Sequence, residues 1–374
     1  MARRARAAVL PAPNESFVIE EYDVPEPAPG ELLLRVELCG TCGSDTHIYR
    51  GEAPGIPYPI VLGHEFTGIV EQLGPGLTHD SEGKPIAVGD RVVVMPTAPC
   101  GSCYNCIVNP EPVAFCENAE FVAGFSNNND RKLTGAWSEI VHLPRGARFF
   151  KTDLPPEIAF LTEPFSSANQ GVQRANVRPG DTVLVQGSGS IGLLALATAI
   201  SCGATRVIMI GGPKRRLDMA RRFGADLTID IADITDPDER VRVVREATIA
   251  GRGVDVAVEA AGVPMAVIEG IRCLRMGGHF VEIGCYADRG TIPINPNQHL
   301  LTNNITLVGA YGYGLRHFLQ SLRLLERQAF PFEELLTHRL PLERARDAVM
   351  ALTPERGWKI DGEEVGKIAI EPAA

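Results

Sequence analysis

One stretch of the chain constrains its fold more than any other. Thr182-Val-Leu-Val-Gln186 leads into Gly187-Ser188-Gly189-Ser190-Ile191-Gly192, and Leu193-Leu-Ala-Leu-Ala-Thr-Ala-Ile200 follows. A β-branched run, a Gly-x-Gly-x-x-Gly turn and an apolar run read together as strand, tight turn and helix. Glycine suits such a turn because the chain reverses sharply, a pyrophosphate must approach the backbone, and the helix packs closely on the strand. Phosphates then meet free N–H groups and the positive end of the helix dipole. A plain tight turn is the bland alternative, and the strands that follow weigh against it.

Arg206-Val-Ile-Met-Ile210, Val254-Asp-Val-Ala-Val-Glu259, His279-Phe-Val-Glu-Ile283 and Ile305-Thr-Leu-Val308 continue the strand pattern. Helical stretches such as Lys214 to Phe223 and Met265 to Leu274 lie between them. This alternation predicts an α/β fold with a doubly wound parallel sheet over residues 165–310. Residues 1–164 read differently. Short runs such as Leu32 to Glu37, Gly68 to Glu71 and Arg91 to Met95 sit among glycines and prolines, which predicts a mostly β domain. A helical segment, His317 to Gln328, precedes a polar tail, and residues 311–374 are expected to return to the first domain. Ser126 to Lys132 reads as a polar surface loop. At 374 residues the chain has room for two cores.

Charge and apolar patterning exclude several classes. Lys plus Arg is 36 and Asp plus Glu is 46, a net −10. Such a chain is not built to bind nucleic acid or an anionic membrane through its overall field. The stretch Thr182 to Thr205 is uncharged and long enough for a membrane span, but the glycine turn would break a spanning helix near its start. Pro11, Pro13, Asn14 and Glu15 interrupt the basic N-terminus before any apolar signal region forms. The expected location is the cytoplasm.

Dinucleotide sites for NAD usually carry an acid at the end of the second strand, where it holds the ribose 2′-OH. Here that strand ends at Gly211, and Lys214, Arg215 and Arg216 follow. Without the acid, a 2′-phosphate meets no repulsion, and nearby cations attract it. The pattern leans toward NADP. A solvated basic first turn, with NAD held without the diol clamp, is the alternative.

Nine cysteines, an odd number in a long chain, argue against a disulfide framework. Cys100-Gly-Ser-Cys103-Tyr-Asn-Cys106, followed by Cys116, suits a tetrahedral structural zinc. An iron–sulfur cluster and a zinc-ribbon module are rivals, the latter disfavoured by the net charge. A second constellation is dispersed: Cys39-Gly-Thr-Cys42-Gly-Ser44-Asp-Thr-His47, then Gly63-His64-Glu65, then Glu163-Pro164. Taken singly, these are a buried thiol, a satisfied histidine and a carboxylate at a turn. Together they offer S, N and O ligands, a set that suits a catalytic zinc with an open position. Spacing alone does not join them.

These motifs, together with Val88-Gly-Asp-Arg-Val92, occur in an order that resembles the zinc-dependent medium-chain dehydrogenase/reductase family over nearly the whole chain. The resemblance implies a GroES-like β domain and a Rossmann domain, with the active site between them. It implies that Cys42, His64 and Glu163 hold the catalytic zinc, with Glu65 a nearby carboxylate able to exchange onto the metal. Glu163 stands where alcohol dehydrogenase has a second cysteine, which looks like the polyol, threonine and glucose dehydrogenase branches. A secondary alcohol or polyol is therefore the expected substrate, oxidised by hydride transfer to NAD or NADP. By the same resemblance Ser44 accepts the alcohol proton and His47 passes it on, as an imidazole that titrates near neutral pH can. A homodimer or homotetramer, paired along the strand Ile305 to Val308, is also implied. Two other readings compete: a zinc-free reductase of enones or quinones in the same superfamily, which should lack Cys42, His64 and Glu163, and a non-catalytic binding protein that keeps the fold.

Overall fold

The computed structural model describes residues 3–109, 115–124 and 132–374. The chain divides into two units: residues 1–163, 314–328 and 335–374 form the first, and residues 164–313 and 329–334 the second. Residues 311–313 and 329–334 thus go with the second unit and not with the returning segment. Aromatic packing accounts for the latter: the Phe330 ring stacks on Phe223 at 6.0 Å, and Phe332 meets Phe223 at 5.8 Å and Phe165 at 5.5 Å. Of the polar loop expected at 126–132, all but Lys132 lies outside the described residues.

The first unit is built mainly on antiparallel strands, with Leu336–Leu340 and Lys367–Ile370 paired in parallel. Its larger sheet runs in the order Arg148–Lys151, Arg91–Met95, Glu65–Leu73, Leu32–Gly40, Lys367–Ile370 and Leu336–Leu340, with Ile140–Leu143 also paired to Leu32–Gly40. The C-terminal strand therefore lies beside a strand from the start of the chain, with Ala369 opposite Gly40 and Ile370 opposite Cys39. Leu32, Leu34, Val36, Val92, Val94 and Ile370 are buried on this sheet. Tyr49, Phe66 and Trp137 are buried as well.

The second unit holds six parallel strands in the order Leu227–Asp230, Arg206–Gly211, Thr182–Gln186, Val254–Glu259, Leu274–Glu282 and Thr306–Gly309. In chain order this is 3-2-1-4-5-6, the arrangement whose direction reverses beside the first strand. The strand Thr182–Gln186 and the helix Ser190–Ser201 flank the glycine turn as expected. Gly187 has φ +101, and a Cβ there would lie 2.7 Å from backbone atoms of Ala260 and Ala261, so only glycine fits. Leu227–Asp230 has no counterpart among the expected strands. Among the described residues no helix is long and apolar enough to cross a membrane.

Candidate active site and metal centre

The inner site of the first unit starts at a helix cap. Cys42 precedes the helix Gly43–Tyr49, and Asp45 reaches back so that its Oδ2 accepts the Cys42 N–H at 2.8 Å. This fixes the Cys42 backbone and turns the other Asp45 oxygen toward His64, 3.6 Å from Nδ1. Ser44 Oγ lies 3.5 Å from the opposite ring nitrogen, Nε2. His64 and Glu65 come from the entry to the strand Glu65–Leu73, where register sets Glu65 opposite Gly40. A Cβ on Gly40 would sit 2.4 Å from Glu65 Oε2, so this glycine makes room for the carboxylate.

Cys42, His64 and Glu65 offer ligand atoms that all lie within 4.8 Å of one another. Glu163 stands in the first turn of the helix Thr162–Arg174 and is buried. It lies outside that tight trio, yet its charge acts on both His64 and Lys367. His47 is buried, and its Nδ1 is 2.6 Å from Glu52 Oε2, on a side chain 40% exposed. The inner site therefore gathers Cys42, Ser44, His64 and Glu65, while His47 points to a partner that faces solvent.

Lys367 completes this site, and the sequence reading gave it no role. Its Nζ is 2.5 Å from Glu65 Oε2, with both side chains almost fully buried. Burial lowers the Lys367 pKa, but the Glu65 carboxylate and the Cys42 sulfur outweigh it, and the ammonium is held above its ordinary value. His64 behaves alike. Burial pulls the imidazole down, while Asp45, the hydrogen-bonded Cys42 sulfur and Glu163 raise it to about 10. For Asp45, burial dominates and pushes the carboxyl up to about 6 despite His64. A buried imidazole raised so far reports excess negative charge around it. A cation suits such a pocket, and S, N and O donors with a carboxylate behind the histidine suit zinc.

The four-cysteine lobe offers a second fit. Cys100, Cys103, Cys106 and Cys116 have sulfurs within 4.8 Å of one another. The Cys100–Cys106 and Cys103–Cys116 sulfur pairs are each 4.0 Å apart. A tetrahedron with zinc–sulfur bonds of about 2.3 Å has edges of about 3.8 Å. Backbone N–H groups already point at the sulfurs: Cys103 to Cys100 at 3.4 Å, Cys106 to Cys103 at 3.4 Å and Cys100 to Cys116 at 3.2 Å. N–H groups of Ser102 and Cys103 bring the Cys100 thiol down to about 5, whereas burial and the Cys116 side chain push Cys106 up to about 12.

In the second unit the helix Ser190–Ser201 begins at Gly189 with no side-chain cap, and a Cβ on Gly189 would meet nothing within 4 Å. That leaves first-turn N–H groups open to a phosphate. Ser188 Oγ donates to Gly212 O at 2.9 Å and accepts the Gly212 N–H at 3.0 Å, tying the turn to the end of the strand Arg206–Gly211. Gly192 and Ile191 lie in the first turn of the helix. Lys214 and Arg215 are exposed at the start of the next helix, whereas Arg216 is buried.

Known proteins share this architecture. Residues 28–153 match the alcohol dehydrogenase GroES-like domain, and residues 190–327 match the zinc-binding dehydrogenase domain. A 5-exo-hydroxycamphor dehydrogenase from Pseudomonas putida is 38% identical over 92% of this chain and 94% of its own. The chain belongs to the zinc-dependent medium-chain dehydrogenase family. A probable D-xylulose reductase A from Emericella nidulans is 32% identical over 93% of this chain and 96% of its own. An alcohol dehydrogenase structure from Thermotoga maritima superposes with a TM-score of 0.90 at 30% identity, covering 99% of this chain and 100% of the other. This medium-chain dehydrogenase is thus an enzyme of alcohol or polyol oxidoreduction with NAD(P), and zinc is its family's metal.

Proposed function

We propose that Cys42, His64 and Glu163 hold the catalytic zinc, that Glu65 stands beside it paired to Lys367, and that the substrate is a secondary alcohol or polyol. The buried Glu65–Lys367 pair carries this reading. Lys367 cancels the Glu65 charge and Asp45 faces His64 Nδ1, so Cys42 and Glu163 are the anions offered directly to a divalent ion. Asp45 orients His64 through Nδ1, leaving Nε2 for the metal. When bound, zinc makes the alcohol hydroxyl more acidic and nicotinamide accepts the hydride.

The remaining chemistry is the chain's own. Ser44 Oγ, near His64 Nε2, takes the proton that leaves the alcohol. His47 carries it outward, and Glu52, bonded to His47 Nδ1, receives it at the solvent edge. Cys100, Cys103, Cys106 and Cys116 hold a closed structural zinc. Gly187, Gly189, Ser190, Ile191 and Gly192 bind the dinucleotide phosphates, and Gly211 leaves the ribose edge open. Exposed Lys214 and Arg215 favour NADP over NAD. The names of the relatives, which act on hydroxycamphor and xylulose, support a secondary carbinol as the reacting group. We also assign the protein to the cytoplasm, as a homodimer or homotetramer paired along the edge strand Thr306–Gly309, whose Leu307 is exposed.

A panel of cyclic secondary alcohols, polyols and primary alcohols, assayed with NAD and with NADP by nicotinamide absorbance, tests substrate and cofactor together. Preference for primary alcohols would overturn the substrate class. Glu163→Ala should abolish turnover and release one of two zinc ions per chain, with cofactor binding kept. Full activity in that variant would remove Glu163 from the ligand set.

A further inference from the structure

The second unit carries a cavity at the end of its sheet opposite the glycine turn. Its volume is about 630 Å³, within the range of small-molecule sites. It opens where strands begin: Arg252 precedes the strand Val254–Glu259, Leu274 starts Leu274–Glu282, and Ile305 precedes Thr306–Gly309. The glycine turn follows Thr182–Gln186, the parallel neighbour of Val254–Glu259, and lies against Ala260 past the far end of that strand, roughly 17 Å away along six residues. The cavity is therefore separate from the dinucleotide site.

The walls differ in chemistry. Val241, Ile271, Leu274 and Ile305 make an apolar floor. Arg245, Arg252, Arg272 and Arg275 form the rim, and no carboxylate lines the cavity among the described residues. Two of these charges are already balanced: Arg272 pairs with Asp238 at 2.7 Å and Arg275 with Asp255 at 2.6 Å. Arg245 pairs with no carboxylate among the described residues. Its guanidinium donates to three backbone carbonyls, those of Arg272, Leu274 and Arg252, at 2.8 to 3.1 Å, which fixes its position but leaves its charge.

Arg252 is exposed on a turn shaped by residues with positive φ: Ala250 at 54°, Gly251 at 67° and Gly253 at 102°. Thr248 Oγ1 accepts the Gly253 N–H at 2.9 Å and holds this turn closed. The backbone of Arg252 is thereby set, while its guanidinium remains available. Across the cavity, Gln298 and His299 come from the helical turn Pro296–Leu301, and His299 Nδ1 accepts the Asn295 N–H at 3.1 Å. A chain of net charge −10 thus presents a pocket with two guanidiniums that no carboxylate pairs among the described residues, over an apolar floor.

We propose that this cavity binds an organic anion, an apolar body carrying one phosphate or carboxylate group, at a site distinct from the cofactor and alcohol sites. The head group meets Arg252 and Arg245 through charge-assisted hydrogen bonds, and the body covers Ile271, Leu274 and Ile305. The inference stands apart from the assignment of the catalytic residues, because its readout is binding and not turnover.

Calorimetric titration of the enzyme saturated with NADP tests it, using hexyl phosphate, hexanoate and inorganic phosphate as probes. Saturation keeps the glycine turn occupied. At least one amphiphile should bind once per chain, about tenfold or more tighter than inorganic phosphate. Arg252→Ala should weaken it about 10- to 100-fold, the worth of charge-assisted hydrogen bonds. Arg242→Ala, an exposed arginine paired with Glu246 outside the cavity, should leave binding unchanged. Whichever amphiphile binds tighter identifies the head group. Equal binding to Arg252→Ala and the parent enzyme would overturn the proposal. So would an equal loss in Arg242→Ala, or inorganic phosphate binding as tightly as both amphiphiles.

Discussion

Among the described residues the first unit contains two clusters of metal-type ligands, and they are held in opposite ways. The four-cysteine lobe is local. Cys103 caps the five-residue helix Tyr104–Val108, short strands Thr97–Ala98 and Glu120–Phe121 pair beside it, and Tyr104 and Ile107 are exposed. It has little apolar burial of its own, so a metal must supply the cohesion. The inner site is held by sheet register. Cys42, His64, Glu65 and Lys367 come from distant parts of the sequence and meet because Gly40 faces both Glu65 and Ala369. Its frame is the hydrophobic core. On the proposed assignment the lobe depends on its metal for cohesion, whereas the inner site is assembled by the core and would stand without one. Damage should separate accordingly, into lost chemistry at the inner site and lost stability at the lobe.

Cys42→Ala should give the largest effect on the reaction. We expect turnover to fall by about 10³-fold or more, the scale of losing a principal electrostatic stabiliser of the transition state. The melting temperature should change little, because the helix Gly43–Tyr49 keeps its Asp45 cap only if the Cys42 N–H persists, and alanine retains that group. Thermal unfolding and steady-state kinetics on one preparation check both halves. A melting temperature that drops as far as that of a lobe variant would erase the distinction between the clusters.

Lys367→Met comes next. It leaves the Glu65 carboxylate buried without its cation, which costs about 3–5 kcal/mol in comparable pairs. The unbalanced Glu65 charge beside the proposed ligands predicts a further change of about 10- to 100-fold in metal affinity or activity, the scale seen when groups next to a metal's ligands are altered. Lys367→Arg keeps the charge and should recover most of the zinc affinity, measured by competition with a chelator. Failure of arginine to recover any of it would make Lys367 a packing residue. Cys106→Ser acts on the other cluster. Metal analysis should find one zinc fewer per chain, the lobe should become sensitive to protease, and turnover at low temperature should stay within about threefold. A turnover loss as deep as that of Cys42→Ala would show that the lobe is coupled to the chemistry.

The contrast between the clusters also explains what could be read from the chain. The lobe is legible because its ligands lie within one short stretch of sequence, where spacing stands in for geometry. The parallel sheet is legible for a similar reason: each strand is a compact β-branched run. Leu227–Asp230 escaped because it is four residues long with two apolar side chains, too little to stand out from a connection. The strand Leu274–Glu282 starts earlier than its apolar run because Gly277 and Gly278 resemble a turn, and the pairing shifts register there. The inner site is different. Nothing local links Cys42 to His64, and only strand pairing sets Lys367 beside Glu65. One signal was present, a single lysine in the otherwise uncharged run Val365-Gly-Lys367-Ile-Ala-Ile370. A lone charge in a buried strand asks for a partner, and the partner was the glutamate beside His64.

The last expected effect, read as a pH slope and not as a loss of function, concerns a carboxylate pair with no cation bonded to it among the described residues, the converse of Glu65 and Lys367. Glu259 and Glu282 end adjacent parallel strands, with Glu259 opposite Glu282 in register. Glu259 Oε1 accepts N–H groups from Ala261 at 2.8 Å and Gly262 at 2.9 Å, and Glu282 Oε1 accepts those of Gly284 at 2.9 Å and Cys285 at 2.8 Å. Cys285 faces the pair, and Arg289 acts on Cys285. Burial, then the charge and hydrogen bond of Glu282, raise Glu259 to about 8 from an ordinary 4.5. Between those values the folded chain keeps a proton that the unfolded chain has released. The contribution is therefore full below pH 4.5 and is lost as pH rises through about 8, by an amount on the order of a few kcal/mol. Glu259→Gln keeps an acceptor for the N–H groups and a donor toward Glu282, but does not titrate. Relative to the variant, the parent enzyme should lose melting temperature from pH 5 to pH 8 and hold level above that. Parallel curves for the two proteins would mean that Glu259 is already ionised in the folded state, and that a buried carboxylate in this enzyme can be held by backbone N–H groups alone, without the cation that Glu65 has.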